Sequence, residues 1–389
     1  MTVLKIIFWI CVFIVFYTFA GYGIILFICV KLKELFVKKE EFPVREEFPD
    51  VTLLIAAYNE ADFIERKMEN CRKLDYPSGK LHLLWVTDGS TDATPSLLRA
   101  WPENTVLHED ARKGKTAALN RAMEHVSSPI VVMTDANTEL NPESIYRIVR
   151  RFDDPDVGCV AGEKRVLAEG GTAAATEGLY WKYESMLKSL DDRLSSAMGA
   201  AGELIAIRSS LWEPIPKGVL GDDMILSMGI LRKGYKIGYC RDAWACEKPS
   251  ADISEEWKRK VRLGACGWQE TRMLRDLMNP LRYGVRAWQF VSHRVIRWVL
   301  APSSIVLCLL LNTALVCCGA GTLYAVLLML QAVFYISALI GLVLDRKGIN
   351  SRFHIPFYFL FANFSTFAGL KYYLTFNGNA AWEKARRAG

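Results

Sequence analysis

The ten cysteines of this 389-residue chain form no CxxC pair and no zinc-ligand spacing. Several lie in apolar segments, so they read as small buried hydrophobes of a reducing compartment and not as a disulfide framework. No dense basic and aromatic patch is present. The net charge of +6 is therefore no nucleic-acid footprint; it suits anionic lipid head groups or a nucleotide phosphate. No internal repeat or low-complexity tract occurs, which excludes a solenoid. A complete P-loop is also missing. Arg112-Lys113-Gly114-Lys115-Thr116 contains Gly-Lys-Thr, but position 109 is Glu where that loop needs Gly, and no strand before it is evident. Lys113 or Lys115 beside the helix that follows can still hold a phosphate, or belong to a solvated charge run.

Charge is absent from Ile6 to Val30, a run long enough to cross a bilayer. It is too long for a secretory signal, and no small-x-small cleavage site follows, so it is expected to remain as an anchor. Only Lys5 precedes it, whereas Lys31, Lys33, Lys38 and Lys39 follow; the positive-inside rule then puts the N-terminus outside and the next domain in the cytoplasm. A charged connector runs from Lys38 to Asp50, with Pro43 and Pro49. Trp257, Val261, Ala265 and Trp268 recur at helical spacing among Lys258, Arg259, Lys260, Arg262 and Arg272, as in a basic amphipathic helix at a membrane surface. Arg282 to Trp298 repeats that theme with Arg286, Arg294 and Arg297. Val299 to Cys318 and Thr322 to Leu344 are further candidate spans. Ile355 to Leu374 is interrupted by Asn363, Ser365, Thr366 and Lys371, and is read as interfacial or re-entrant, which keeps the tail with Lys384, Arg386 and Arg387 cytoplasmic. The expected organisation is an anchor over 1–36, a catalytic domain over 37–250, interfacial helices over 251–298, a membrane region over 299–374 and a cytoplasmic tail over 375–389.

Three apolar runs in the first 140 residues each end in polar residues: Val51 to Glu60, Leu83 to Ser90 and Pro129 to Asn137. Short continuous runs with helix-length spacers predict buried parallel strands. Ligands of an open α/β sheet bind outside the carboxyl ends of such strands, so three acid-bearing ends point to one cleft.

Each cluster has two readings. Asn59-Glu60 and Asp88-Gly89-Ser90-Thr91-Asp92 either cap the next helices or form a nucleoside pocket, with Asp88 accepting from base or ribose and Tyr58 and Glu60 beside it. Asp135 and Asn137 stand at i and i+2, where an extended segment points both oxygens at one divalent ion. A buried Asp135 needs that ion or a pairing Lys or Arg. Asp222 and Asp223 precede an apolar stretch, Met224 to Leu231; they cap a helix, or one raises the other's pKa and makes a general base. Gly199 to Ile207 is either an acceptor-side loop or the start of a strand.

As an ordered set, Ala57-Tyr58-Asn59-Glu60, Asp88-Gly89-Ser90-Thr91-Asp92, Asp135-Ala136-Asn137 and Gly221-Asp222-Asp223 resemble the family 2 glycosyltransferases of GT-A fold. The likeness is greatest to membrane-embedded members such as poly-N-acetylglucosamine, hyaluronan and cellulose synthases, and covers about Val51 to Arg262. It implies a Rossmann-like, mostly parallel sheet with helices on both faces, plus transmembrane and interfacial helices. It implies that Tyr58, Glu60 and Asp88 contact the nucleotide, with Lys115 near it. Asp135 and Asn137 resemble the DxD motif that holds Mg2+ or Mn2+ against the diphosphate. Asp223, paired with Asp222, resembles the general base; Glu203 lies in what resembles the acceptor-side loop. Two departures stand out. The second DxD acid is Asn137. The QxxRW motif is reduced to Arg259-Lys260-Val261-Arg262-Leu263, which keeps an arginine for the diphosphate and loses the Gln and the Trp.

The expected protein is an inner-membrane, multi-pass inverting glycosyltransferase. Its donor is a nucleotide-sugar, UDP-linked by expectation, and its acceptor a glycan or lipid-linked molecule at the inner bilayer face; nucleic acid is not a partner. Two alternatives stay open. One is a non-processive enzyme adding a single sugar to a polyprenyl-phosphate or lipid-linked acceptor. The other is a membrane scaffold that binds nucleotide-sugar without turnover.

Overall fold

The computed structural model describes residues 1–38, 43, 47–166, 171–349 and 351–378, with backbone alone over 171–180. In the connector, Lys39 and positions 40–42 and 44–46 lie outside this description, as does the tail segment Trp382 to Arg387.

The chain opens with α1 (Thr2–Phe16) and α2 (Tyr22–Phe36), joined by a π-helical turn, Tyr17–Gly21, into one 35-residue helix. At 1.5 Å per residue it is about 52 Å long, well beyond the ~30 Å of a hydrocarbon core. The excess has its own support. Tyr22, Leu26 and Val30, expected within the anchor, are buried with Leu187 and Leu190 of the domain that follows.

The domain that follows is built on β1 (Val51–Ala57), which is buried almost throughout. Leu54 faces one core and Leu53 and Ile55 the other, because successive strand residues point to opposite faces. Each such side chain contributes about 1.5–3 kcal/mol on full burial. After α3 (Ala61–Arg72) come β2 (Leu81–Asp88), α4 (Thr94–Arg99) and β3 (Asn104–Glu109). Then follow α5 (Lys115–Met123), β4 (Ile130–Asp135), β5 (Glu139–Leu140) and α6 (Ser144–Arg151). The second half adds β6 (Val157–Val166), α7 (Gly171–Leu194), β7 (Ile205–Arg208), α8 (Asp222–Arg232) and β8 (Lys236–Glu247). The sheet order is β3-β2-β1-β4-β7-β6-β8-β5. The β3-β2-β1-β4 half is parallel, and β7 and β5 run antiparallel to their neighbours, so the sheet is mixed. The strand that the P-loop comparison lacked is present: β3 ends at Glu109. It was hidden because it is a half-buried edge strand with only two apolar residues, Val106 and Leu107.

The remaining helices pack on one another and on the domain. Much of the apolar stripe of α9 (Ile253–Met273) lies against another helix, while Trp257 stays partly exposed. Trp268 Nε1 donates to the Thr366 carbonyl (3.1 Å) and Trp257 meets the Phe361 ring, both on α14 (His354–Thr375). Gly264 and Gly369 let the two backbones approach closely. Likewise, after the single turn α10 (Pro280–Tyr283), the basic stretch in α11 (Val285–Phe290) and the π-helical segment Val291–Leu300 faces the domain. Arg286 donates to the Gly234 carbonyl (3.0 Å), and Arg294 and Arg297 pair with buried Glu184 at 2.9 and 2.8 Å. Glu184, buried, would be costly without Arg294, Arg297 and His293, the last of which lies 3.2 Å from it.

The π segment continues into α12 (Ala301–Cys317), giving a 33-residue apolar helix, and α13 (Thr322–Arg346) returns antiparallel to it. With Thr2–Phe36 these make three helices long and apolar enough to cross a membrane among the described residues; α14 is not one of them.

Candidate active site

The site forms where four loops leave the carboxyl ends of β1, β2, β4 and the strand-rich second half. Asn59, just after β1, adopts a positive φ of 51°, uncommon for a non-glycine residue. Its side-chain oxygen accepts from the Thr91 amide (2.8 Å), and the Glu60 amide donates to Thr94 Oγ1 (2.8 Å), so the first two loops are tied together. Asp92 accepts from the Ala61 and Thr94 amides at 3.1 and 3.0 Å. Burial opposes its ionisation, but these bonds keep its carboxyl below the usual range.

Asp88 is buried at the end of β2. One carboxylate oxygen accepts the Lys113 and Gly114 amides at 2.9 and 2.6 Å. The other is buried without a hydrogen bond, the nearest cation being Arg121 at 4.0 Å. Gly89 has φ +68°, and a Cβ there would strike the Arg112 backbone, so only glycine admits this crossing of loops. Arg112 in turn stacks its guanidinium over the Tyr58 ring at 3.9 Å.

The loop held by Asp88 delivers Lys115 at the first position of α5. Lys115 Nζ lies 2.8 Å from Asp135 at the end of β4 and 3.7 Å from Asp222 at the start of α8. Of the alternatives for Asp135, the pairing lysine is thus present. Asp223 accepts from the Gly202 amide (2.9 Å) and its own helix at Met224 (2.8 Å). Burial, then Asp222 and Glu203, push its carboxyl up to about 6 against the pull of Lys115. Both acids sit in the first turn of α8, where negative charge favours the helix N-terminus, and Gly221 is the N-cap residue.

Asn137 departs from the expected geometry. β4 ends at Asp135, and Ala136-Asn137 form a turn closed by Thr138 Oγ1 on the Asp135 carbonyl (2.9 Å). The two oxygens are therefore offered from a turn, not from one extended segment. Among the described residues no three His, Cys, Asp or Glu side chains make a metal cage. Two hard oxygen ligands still fit a Mg2+ or Mn2+ that completes its shell from substrate diphosphate and water.

Glu203 is held on the flank by buried Lys164, which also pairs with Glu247 at 2.5 Å. Along β6 this lysine follows Val160 and Gly162 at alternate positions, which puts it on their buried face. Arg262 lies exposed on α9, one turn before Cys266. Sequence reasoning missed Arg112, Arg121 and Lys164. None has a local pattern; each finds its partner only when distant segments meet.

The sequence profile described as glycosyltransferase like family 2 matches residues 49–265. A poly-beta-1,6-N-acetyl-D-glucosamine synthase of Staphylococcus aureus is 25% identical over 259 residues, 63% of this chain and 60% of that protein. A beta-monoglucosyldiacylglycerol synthase of a Nostoc species is 24% identical over 67% of this chain and 58% of that protein. The matched region thus spans about three fifths of the length of these curated relatives. A mannosyltransferase from Pyrobaculum calidifontis, solved with GDP-Man and Mn2+, has a TM-score of 0.72 at 22% identity, over 96% of this chain and 99% of that one; at this identity the likeness speaks for the GT-A fold alone. With its profile match centred on the strands, loops and acids described above, the chain belongs to the family 2 glycosyltransferases.

Proposed function

We propose that this protein is a membrane-bound inverting glycosyltransferase that moves a sugar from a UDP-sugar to a glycan or lipid-linked acceptor at the cytoplasmic membrane face. The observation that carries this reading is the convergence of Asp135, Asp222 and Asp223 on Lys115, with Asp88 holding the loop that delivers it. Tyr58, Glu60 and Asp88 receive the nucleoside, with Asp88 also fixing the Lys113–Gly114 loop beside it. Asp223 takes the proton from the acceptor hydroxyl as that oxygen attacks the anomeric carbon in line with the departing diphosphate. Lys115, with Arg262 of α9, stabilises charge on the leaving group. A Mg2+ or Mn2+ held by Asp135 and Asn137 would supply further neutralisation of that diphosphate when bound. Glu203 lines the acceptor side. One displacement on an α-linked donor yields a β-linked product.

The poly-N-acetylglucosamine and glucosyldiacylglycerol relatives favour polysaccharide and glycolipid products respectively. Leu263, in place of the Trp of QxxRW, favours single addition. Product length on a gel separates the two. Asp223→Asn, followed by UDP release in membranes, tests the chemistry: loss of a general base should lower kcat by ~10²–10⁴ with donor KM little changed. Turnover within a few-fold of wild type would remove Asp223 from its role, and absence of any UDP release from wild-type membranes over a panel of UDP-sugars would favour the scaffold.

A further inference from the structure

The turn that presents Asp223 is braced from behind by α9. Gln269 accepts from the Leu220 amide and donates to the Gly218 carbonyl, both at 2.8 Å. The next residue, Glu270, is buried, and its carboxyl lies directly against Gly221. Gly221 has φ −121° and ψ 98°, an extended conformation open to any residue. What excludes a side chain there is therefore Glu270 Oε1, with Cys266 Cβ 3.4 Å away.

Glu270 has no ion-pair partner among the described residues. The charged groups that act on it are Asp223, Arg294 and Asp222. A carboxylate buried without a cation beside two acids is costly. Burial foremost, with Asp223 and Asp222, keeps its proton on. A neutral acid can fill this space without adding charge to the base.

Resting on the reading of Asp223 as general base, we propose that Glu270 is a positioning residue for it: from α9, its carboxyl seats the Gly221 turn and so aims Asp223 at the acceptor hydroxyl. The residue acts through Gly221 and not on substrate. It also ties the reaction to the α9–α14 pair. Misplacement of a reacting group by about 1 Å can cost ~10²-fold.

The test uses the full chain in membranes, with UDP-glucose and UDP-N-acetylglucosamine as donors and UDP release as readout. Glu270→Gln keeps shape and neutrality; it should hold kcat within about threefold and leave the acid limb of the kcat–pH profile in place. Glu270→Ala should lower kcat by ~10-fold or more with donor KM unchanged, and shift the acid limb downward as water enters beside Asp223. An Ala variant with wild-type kcat and pH profile would overturn the inference, as would a Gln variant as impaired as the Ala variant. Asp223→Asn run in parallel separates the two claims: an active Asn variant removes the base assignment, whereas an inactive one beside an active Glu270→Ala removes only Glu270. A donor-independent readout guards against poor turnover or folding. Gly221→Ala should lower the thermal midpoint, and Gly221→Ala/Glu270→Ala should melt no lower than Glu270→Ala alone; simple additivity would show that no such contact exists.

Discussion

At Asp223 two influences oppose each other. Burial and the neighbouring acids hold its proton on, and Lys115 draws it off, leaving the carboxyl at about 6. A general base works only when ionised, so kcat should be level above that value and fall about tenfold per pH unit below it. Lys115→Met removes the cation that favours ionisation, so the acid limb should move to higher pH. A limb that stays put would show that Lys115 does not act on Asp223. Asp88 has a separate duty. Asp88→Ala releases the Lys113 and Gly114 amides, each a charge-assisted bond of ~1.5–3 kcal/mol, and should raise donor KM or Kd about 10- to 100-fold. Binding of a fluorescent UDP analogue measures this without turnover. Asp88, Asp135 and Asp223 were legible because each follows an apolar run or opens one. Arg112 and Lys164 were not, since Arg112 finds Tyr58 across a loop crossing and Lys164 on β6 finds Glu203 on a separate loop 39 residues away.

Among the elements, α9 and α14 carry the clearest mechanical role. Gly264 and Gly369 meet at the crossing, and a Cβ on Gly369 would lie 2.6 Å from the Ala265 amide nitrogen. Gly369→Leu should therefore part the helices, cost at least ~1–3 kcal/mol and lower the thermal midpoint. Because α9 also carries Gln269 to the turn at Gly218 and Leu220, turnover should fall with it. Leu374→Ala, at a largely exposed position of α14, should change neither. The periodicity of Trp257, Val261, Ala265 and Trp268 announced an amphipathic helix. It said nothing of what covers the apolar stripe, because lipid and a neighbouring helix select the same side chains.

For the molecule as a whole, the decisive geometry is which ends of the long helices share a side. Lys5 donates to the Ala320 carbonyl at 3.4 Å, so the N-terminus and the α12–α13 turn lie together. Lys33, at the other end, donates to the carbonyls of Arg193 and Leu194 at 3.0 and 2.8 Å, beside the catalytic domain. If the domain is cytoplasmic, as proposed above, Cys317 and Cys318, both exposed, should face outward. A membrane-impermeant maleimide should label intact cells, and Cys317→Ser/Cys318→Ser should abolish that signal. Labelling seen only after permeabilisation would invert the orientation.

Local sequence determined the strands, their acid-bearing ends and the apolar helices, because buried parallel strands and long apolar spans impose residue patterns that need no partner to be recognised. Tertiary structure alone decided that Lys115 bridges Asp135 and Asp222, that α14 packs on α9, and that Arg294 and Arg297 serve Glu184. Those outcomes depend on Coulomb and packing contacts between segments tens to hundreds of residues apart, and side-chain type carries no record of the distance at which its counterpart will stand.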